Sequence, residues 1–158
     1  MNTSFQRTSA SDEWYTPPEI IASLGKFDLD PCAAPNRITA ARHFTKEDDG
    51  LSKEWSGRVW LNPPYSQPLL KKFITKMARH ANGIALLFNR CDNALFHDLI
   101  FPSATAMLFL RKRIRFYNSL GLQGNHPGCG SVLIAWGEEN ALALKHCTLQ
   151  GKYVSLNN

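Results

Sequence analysis

Apolar positions along the chain change period several times, and each change marks an element. Residues 84–88, 105–110 and 131–136 are near-continuous apolar runs, the pattern of strands buried on both faces. Residues 58–61, Arg-Val-Trp-Leu, make another short strand, and residues 27–30, Phe-Asp-Leu-Asp, alternate apolar and polar until Pro31 stops them. Elsewhere the spacing turns helical. Leu69, Leu70, Phe73, Met77 and Ala81 share one face behind Ser66, the expected cap, with Lys71, Lys72, Lys76 and Arg79 on the remainder and Asn82-Gly83 as the stop. Residues 93–100 and 138–146 read as two further helices. Thr16-Pro17-Pro18-Glu19 has the form of a capping box ahead of Ile20, Ile21 and Leu24, with Gly25 as terminator.

Between these elements, residues 32–57 predict a loop-rich connection with at most a short helix over 37–43. A glycine-rich turn covers 121–130. Strands alternating with helices imply an α/β sheet, closed at its C-terminal edge by an antiparallel hairpin. The polar, Ser- and Thr-rich residues 1–11 read as a loose segment, and residues 12–158 fit one domain.

Composition narrows the class without choosing a function. With 44% hydrophobic and 20% charged residues, the 158-residue chain can build a core and is neither fibrous nor disordered. Its net charge of +5 suits a polyanionic partner such as nucleic acid, a weak signal when taken alone. Cys32, Cys91, Cys129 and Cys147 form no C-x-x-C pair, so neither a zinc site nor a disulfide framework is expected. No apolar signal core opens the chain, and no run of about 18 uncharged apolar residues occurs, so no membrane role is expected and the cytoplasm is the expected compartment.

Asn62-Pro63-Pro64-Tyr65, directly after a hydrophobic strand, is the strongest chemical signal. Two prolines forbid continuation of helix or sheet, so the chain must leave the sheet there. The exocyclic amine of adenine is a poor nucleophile because its lone pair is delocalised into the ring. Two acceptors on its two hydrogens would localise that lone pair: the Asn62 side-chain oxygen, and the Pro63 carbonyl, whose direction the paired prolines fix. Tyr65 can stack on a base rotated out of the duplex. The amine can lose its proton after methyl transfer, so no general base is needed beforehand. A proline-rich turn leading into the next helix is the structural alternative.

Asp30 ends an earlier strand and is followed by Pro31 and Cys32. In an open α/β sheet, nucleotide ligands bind outside the carboxyl ends of the strands, and a carboxylate there suits an ammonium or a ribose hydroxyl. Thr16 and Pro17 serve the capping box, a ligand, or both at once.

On these residues the chain resembles the phage-type DNA N-6-adenine methyltransferase (Dam) family. The stretches DEWYTPPEI, FDLDPCAAP, FTKEDDGLSKEWSGRVWLNPPYS, RKRIRFYN and GCGSVLIAW carry the resemblance. It implies a Rossmann-like core, S-adenosylmethionine as methyl donor, duplex DNA as partner, no metal, and a phage or prophage origin in a bacterial host, with GATC as the family-level target. It also implies cofactor contacts at Thr16, Pro17 and Asp30, and target-base contacts from Asn62 to Tyr65. The stretch between Asp30 and Asn62 is too short for the usual set of strand and helix units, so a reduced sheet is expected. Asp48 or Asp49 then becomes the candidate ribose acid, with Trp14 or Tyr15 against the adenosine. Pro31-Cys32 also matches the nucleophile pair of cytosine-carbon methyltransferases, a role rejected because it leaves the NPPY loop unexplained.

With no separate recognition domain, the 121–130 loop and neighbouring cations are expected to read DNA. Strand alternation over residues 111–116 would set Arg111, Arg113 and Arg115 on one face. Two rivals remain: an NPPY methyltransferase acting on RNA or on protein glutamine, and an inactive DNA-binding relative.

Overall fold

The computed structural model describes residues 15–118, 120–124 and 127–157. The expected loose segment 1–11 lies outside them. Seven strands are present among the described residues: β1 (Leu29–Asp30), β2 (Arg42–His43), β3 (Val59–Leu61), β4 (Gly83–Phe88), β5 (Ala106–Leu110), β6 (Ser131–Trp136) and β7 (Gly151–Ser155). They form one sheet in the order β2-β1-β3-β4-β6-β5-β7. Neighbours from β2 to β4 run parallel, and the β4-β6, β6-β5 and β5-β7 pairs are antiparallel. The expected hairpin is present as β5-β6, with β7 added at the edge.

Helices α1 (Pro18–Ala22), α2 (Leu69–His80), α3 (Phe101–Ser103) and α4 (Glu138–His146) flank the sheet. Strand alternation divides the core between its two faces. Val59, Leu61, Ala85, Leu87, Val132 and Ile134 pack with Leu70, Phe73, Ile74 and Met77 of α2. Trp60, Ile84, Leu86, Leu133 and Ala135 face the other way, against Ile20 and Ile21 of α1 and Ala141 and Leu144 of α4. Strands buried on both sides explain the continuous apolar runs.

Several local expectations are corrected. The 37–43 helix is absent: that stretch leads into β2, whose exposed residues pair along the edge of β1. No side chain caps α1; Pro17 takes the N-cap position, and Thr16 turns its hydroxyl elsewhere. Ser66 contributes only its carbonyl to α2, accepting from the Leu70 N–H, while Pro68 stands at the N-cap. Ala81, at φ 58°, ends α2, and Gly83 already belongs to β4. The helix expected over 93–100 is a π-helical turn, Leu95–Ile100, running into α3.

Candidate active site at the carboxyl end of the sheet

The chain leaves β1 for β2 on one side and returns to β3 on the other. At such a switch point the loops diverge and leave a crevice outside the carboxyl ends of the strands. Asp30 ends β1 there, and Asn62 follows β3 directly. Asn62 Nδ2 donates to Thr16 Oγ1 at 3.2 Å. That bond orients the amide and leaves Oδ1 as an acceptor beside the Pro63 carbonyl.

The Tyr65 ring lies tilted on Phe88 with centroids 4.7 Å apart, and Phe116 meets Phe88 edge-on at 6.4 Å. β4 continues past Ala85, the partner of Leu61, to Phe88. The Phe88 N–H that a longer β3 would have paired is taken instead by the Tyr65 hydroxyl oxygen. Burial of that hydroxyl end pushes its pKa up, so the phenol stays neutral, although 39% of the residue is exposed.

Asp30 is 3% exposed. Its Oδ1 accepts from the Cys32 N–H at 3.0 Å and its Oδ2 from the Thr39 hydroxyl. Burial nevertheless raises its pKa from 3.8 to about 6, against the opposing pull of Thr39, Cys32 and His43. Burial and then the Asp30 charge push the Cys32 thiol up as well, which makes it a poor nucleophile.

The turn after β2 is a short 3-10 helix, Lys46–Asp48, capped by its own carboxylate. Asp48 accepts from the Thr45 N–H at 2.8 Å and the Thr45 hydroxyl at 3.0 Å, which holds its pKa below the usual carboxylate value. Asp49 leaves the turn at φ 53°. Gly50 packs so closely on Pro31 that an added Cβ would lie 2.1 Å from the Pro31 carbonyl oxygen. That contact brings the Asp48-Asp49 turn against the one after Asp30.

Tyr15 exchanges backbone hydrogen bonds with Tyr117 at 2.8 and 3.0 Å, and the Arg37 guanidinium lies 4.6 Å over its ring. Trp14 lies outside the described residues. The expected strand over 111–116 is not formed: β5 ends at Leu110 and the chain turns away. Ile114 is buried against the α1 face, while Arg111, Arg113 and Arg115 are exposed, with Arg113 donating to the Pro127 carbonyl at 3.1 Å. A second basic surface runs along α2, where Lys71, Lys72, Lys76, Arg79 and His80 line a groove with Leu51 and Trp55. Among the described residues, no group of three or more His, Cys, Asp or Glu is arranged to hold a metal, and no helix is long and apolar enough to cross a membrane.

Thr39 and Phe88 join this site without any signal in the sequence. Thr39 reaches Asp30 only because the β1-β2 connection folds back, and Phe88 meets Tyr65 only through the sheet register. The parallel half of the mixed sheet carries the switch point, with a carboxylate ending one strand and an NPPY loop ending the next, an α/β arrangement of the methyltransferase-like kind.

The comparisons resolve the class further. The family model for DNA N-6-adenine-methyltransferase (Dam) matches residues 3–148, and the chain belongs to that family. A DNA N-6-adenine-methyltransferase of Haemophilus phage HP1 (strain HP1c1) is 30% identical over 128 residues, covering 75% of this chain and 74% of the relative. A protein of the same name from Escherichia phage T1 is 40% identical over 84 residues, 48% of this chain and 35% of the relative. No solved structure matches the chain at a significant level.

Proposed function

We propose that residues 12–158 form one methyltransferase domain that moves a methyl group from S-adenosylmethionine to the exocyclic amine of adenine in duplex DNA. The observation that carries this reading is the Asn62 amide, oriented by Thr16 with Oδ1 left to accept, next to Pro63 and at the switch point beside Asp30. The strand order supports a reduced Rossmann-like core. β2, β1, β3 and β4 follow the inner strands of a doubly wound sheet, without α-helices in the two connections around β2.

S-adenosylmethionine supplies an electrophilic methyl on a sulfonium. The residues at the switch point fit it: Asp30 retains lone pairs for an ammonium or a ribose hydroxyl, the Asp48-Asp49 turn lies beside Pro31, and the Tyr15 ring, covered by Arg37 on one face, is the candidate partner of the adenosine. Thr16 and Pro17 contact the donor, and Thr16 also holds the Asn62 amide. On the acceptor side, the base leaves the duplex and stacks on Tyr65. Asn62 Oδ1 and the Pro63 carbonyl take the two amine hydrogens and aim the lone pair at the methyl. The Phe88 N–H fixes Tyr65 before the base arrives. DNA contacts fall to Arg111, Arg113 and Arg115.

Labelled methyl donor offered in parallel to duplex DNA, RNA and protein, followed by nucleoside and peptide analysis, tests the reading. N6-methyladenine in DNA is expected. Label in RNA or glutamine would move the substrate class, and DNA binding with no transfer would make the chain an inactive relative.

A further inference from the structure

Among the described residues, Ser131 Oγ is the one buried side-chain oxygen or nitrogen with no hydrogen-bond partner. The residue is 1% exposed. A hydroxyl kept in that state is unfavourable and calls for a reason. Its position supplies one. Ser131 opens β6 directly opposite Phe88, the last residue of β4, at the end of the sheet where Asn62 and Asp30 lie.

Opposed residues of an antiparallel pair hold their Cβ atoms about 5 Å apart on one face. Here that face carries α1: Ile84, Leu86, Leu133 and Ala135, which share the parity of Phe88 and Ser131, pack against it. Asn62 turns the same way, reaching Thr16 just ahead of α1. Ser131 therefore borders the ring group of Tyr65, Phe88 and Phe116. A single strand, β4, separates the line of Asn62 from that of Ser131, a lateral span of about 10 Å. A planar base bridging that span can hydrogen-bond at both sides, each bond about 2.9 Å long.

We propose that the Ser131 hydroxyl donates to a ring nitrogen flanking the amine of the extruded adenine, reading the base that Asn62 and Pro63 hold by its amine. The half-buried Phe116 side chain turns aside as the base enters, while its backbone stays bonded to Gly124. The idea rests on the methyl-transfer reading. It adds a donor to the base's ring edge: at N1 that donor meets a lone pair in adenine but a proton in guanine, whereas at N7 both purines present a lone pair and the discrimination against guanine rests on the amine held by Asn62 and Pro63.

Duplexes carrying adenine, 1-deazaadenine or 7-deazaadenine at the mapped target position, methylated by wild type and by Ser131→Ala, provide the test. In the wild type, one of the two analogues should lose about 10- to 100-fold in kcat/KM relative to adenine. Ser131→Ala should lose a comparable factor on adenine and treat adenine and that analogue alike, with donor affinity unchanged by calorimetry. Ser131→Cys, which keeps the volume and only a weak donor, should fall between them and covers the case of a poorly folded alanine variant. Wild-type efficiency of Ser131→Ala on adenine, or undiminished discrimination by both variants, overturns the proposal. No transfer to adenine by the wild type would instead defeat the methyl-transfer reading itself.

Discussion

Asp30→Asn exchanges a carboxylate for an amide of the same shape at a position where both hydrogen bonds can survive. The amide oxygen keeps the Cys32 N–H, and the amide nitrogen can donate to the Thr39 hydroxyl oxygen. What changes is the charge. In the folded protein Asp30 titrates at about 6, above the ordinary 3.8, because burial opposes ionisation. Between those values the folded state holds a proton that the unfolded state has released, so stability falls as pH rises through this window and stays lowered above it. The gap corresponds to about 3 kcal/mol at neutral pH. For a chain of this length that is roughly 6–12 °C in melting temperature. The variant and the wild type should melt together near pH 4, and the variant should melt higher, by up to that amount, at about pH 8. Calorimetric titration of S-adenosylmethionine should move the other way, with weaker binding by the variant. A stability difference that does not change across this pH range refutes the burial argument. Unaltered donor affinity with an intact fold makes Asp30 a structural residue.

Asn62→Ala should abolish transfer while leaving donor affinity nearly unchanged, a loss of about 10²–10³ in kcat for one preorganised acceptor, measured by single-turnover methylation. Thr16→Val removes the hydroxyl that orients the Asn62 amide, so kcat should fall by less than in Asn62→Ala; an undiminished rate would show that the 3.2 Å bond does not position the acceptor. Tyr65→Phe keeps the ring and releases the Phe88 N–H, so it should cost far less activity than Tyr65→Leu, which loses both. For DNA, Arg113→Ala or Arg115→Ala should make the slope of log affinity against log salt shallower by about 0.9 per lost phosphate contact. If neither changes binding and Lys72→Ala does, the phosphate surface lies along α2.

The elements legible in the sequence were those whose own side chains carry the burial pattern. β6 and α4 occupy the stretches expected of them, 131–136 and 138–146, because every side chain of β6 is buried and α4 sets Ala141 and Leu144 against the sheet. β2 and β7 were not legible. Arg42 and His43 are exposed, and Gly151–Ser155 is at most half-buried, so each owes its strand state to an unpaired neighbouring edge. Thr16 misled for a related reason: its hydroxyl could serve a helix end or a residue far along the chain, and Asn62 won. Arg111, Arg113 and Arg115 misled because alternating residues suggest a strand, whereas the chain turns away after Leu110 to bury Ile114. At the site, Asn62 and Asp30 were visible as residue types at strand ends. Phe88 and Ser131 were not, since their place depends on what stands across the sheet.

The thin edge formed by β2 makes order at the Asp30 side of the sheet conditional. Two exposed residues pair there along a single neighbour, without a covering helix, whereas β4, β6 and β5 form a buried antiparallel block. Amide protons of the 28–44 region should therefore exchange with solvent through small local openings, and those of the central block only when the whole domain unfolds. A donor seated against Asp30 and the Asp48-Asp49 turn would slow exchange at the edge first, so that saturation with donor and completion of the sheet become one thermodynamic event.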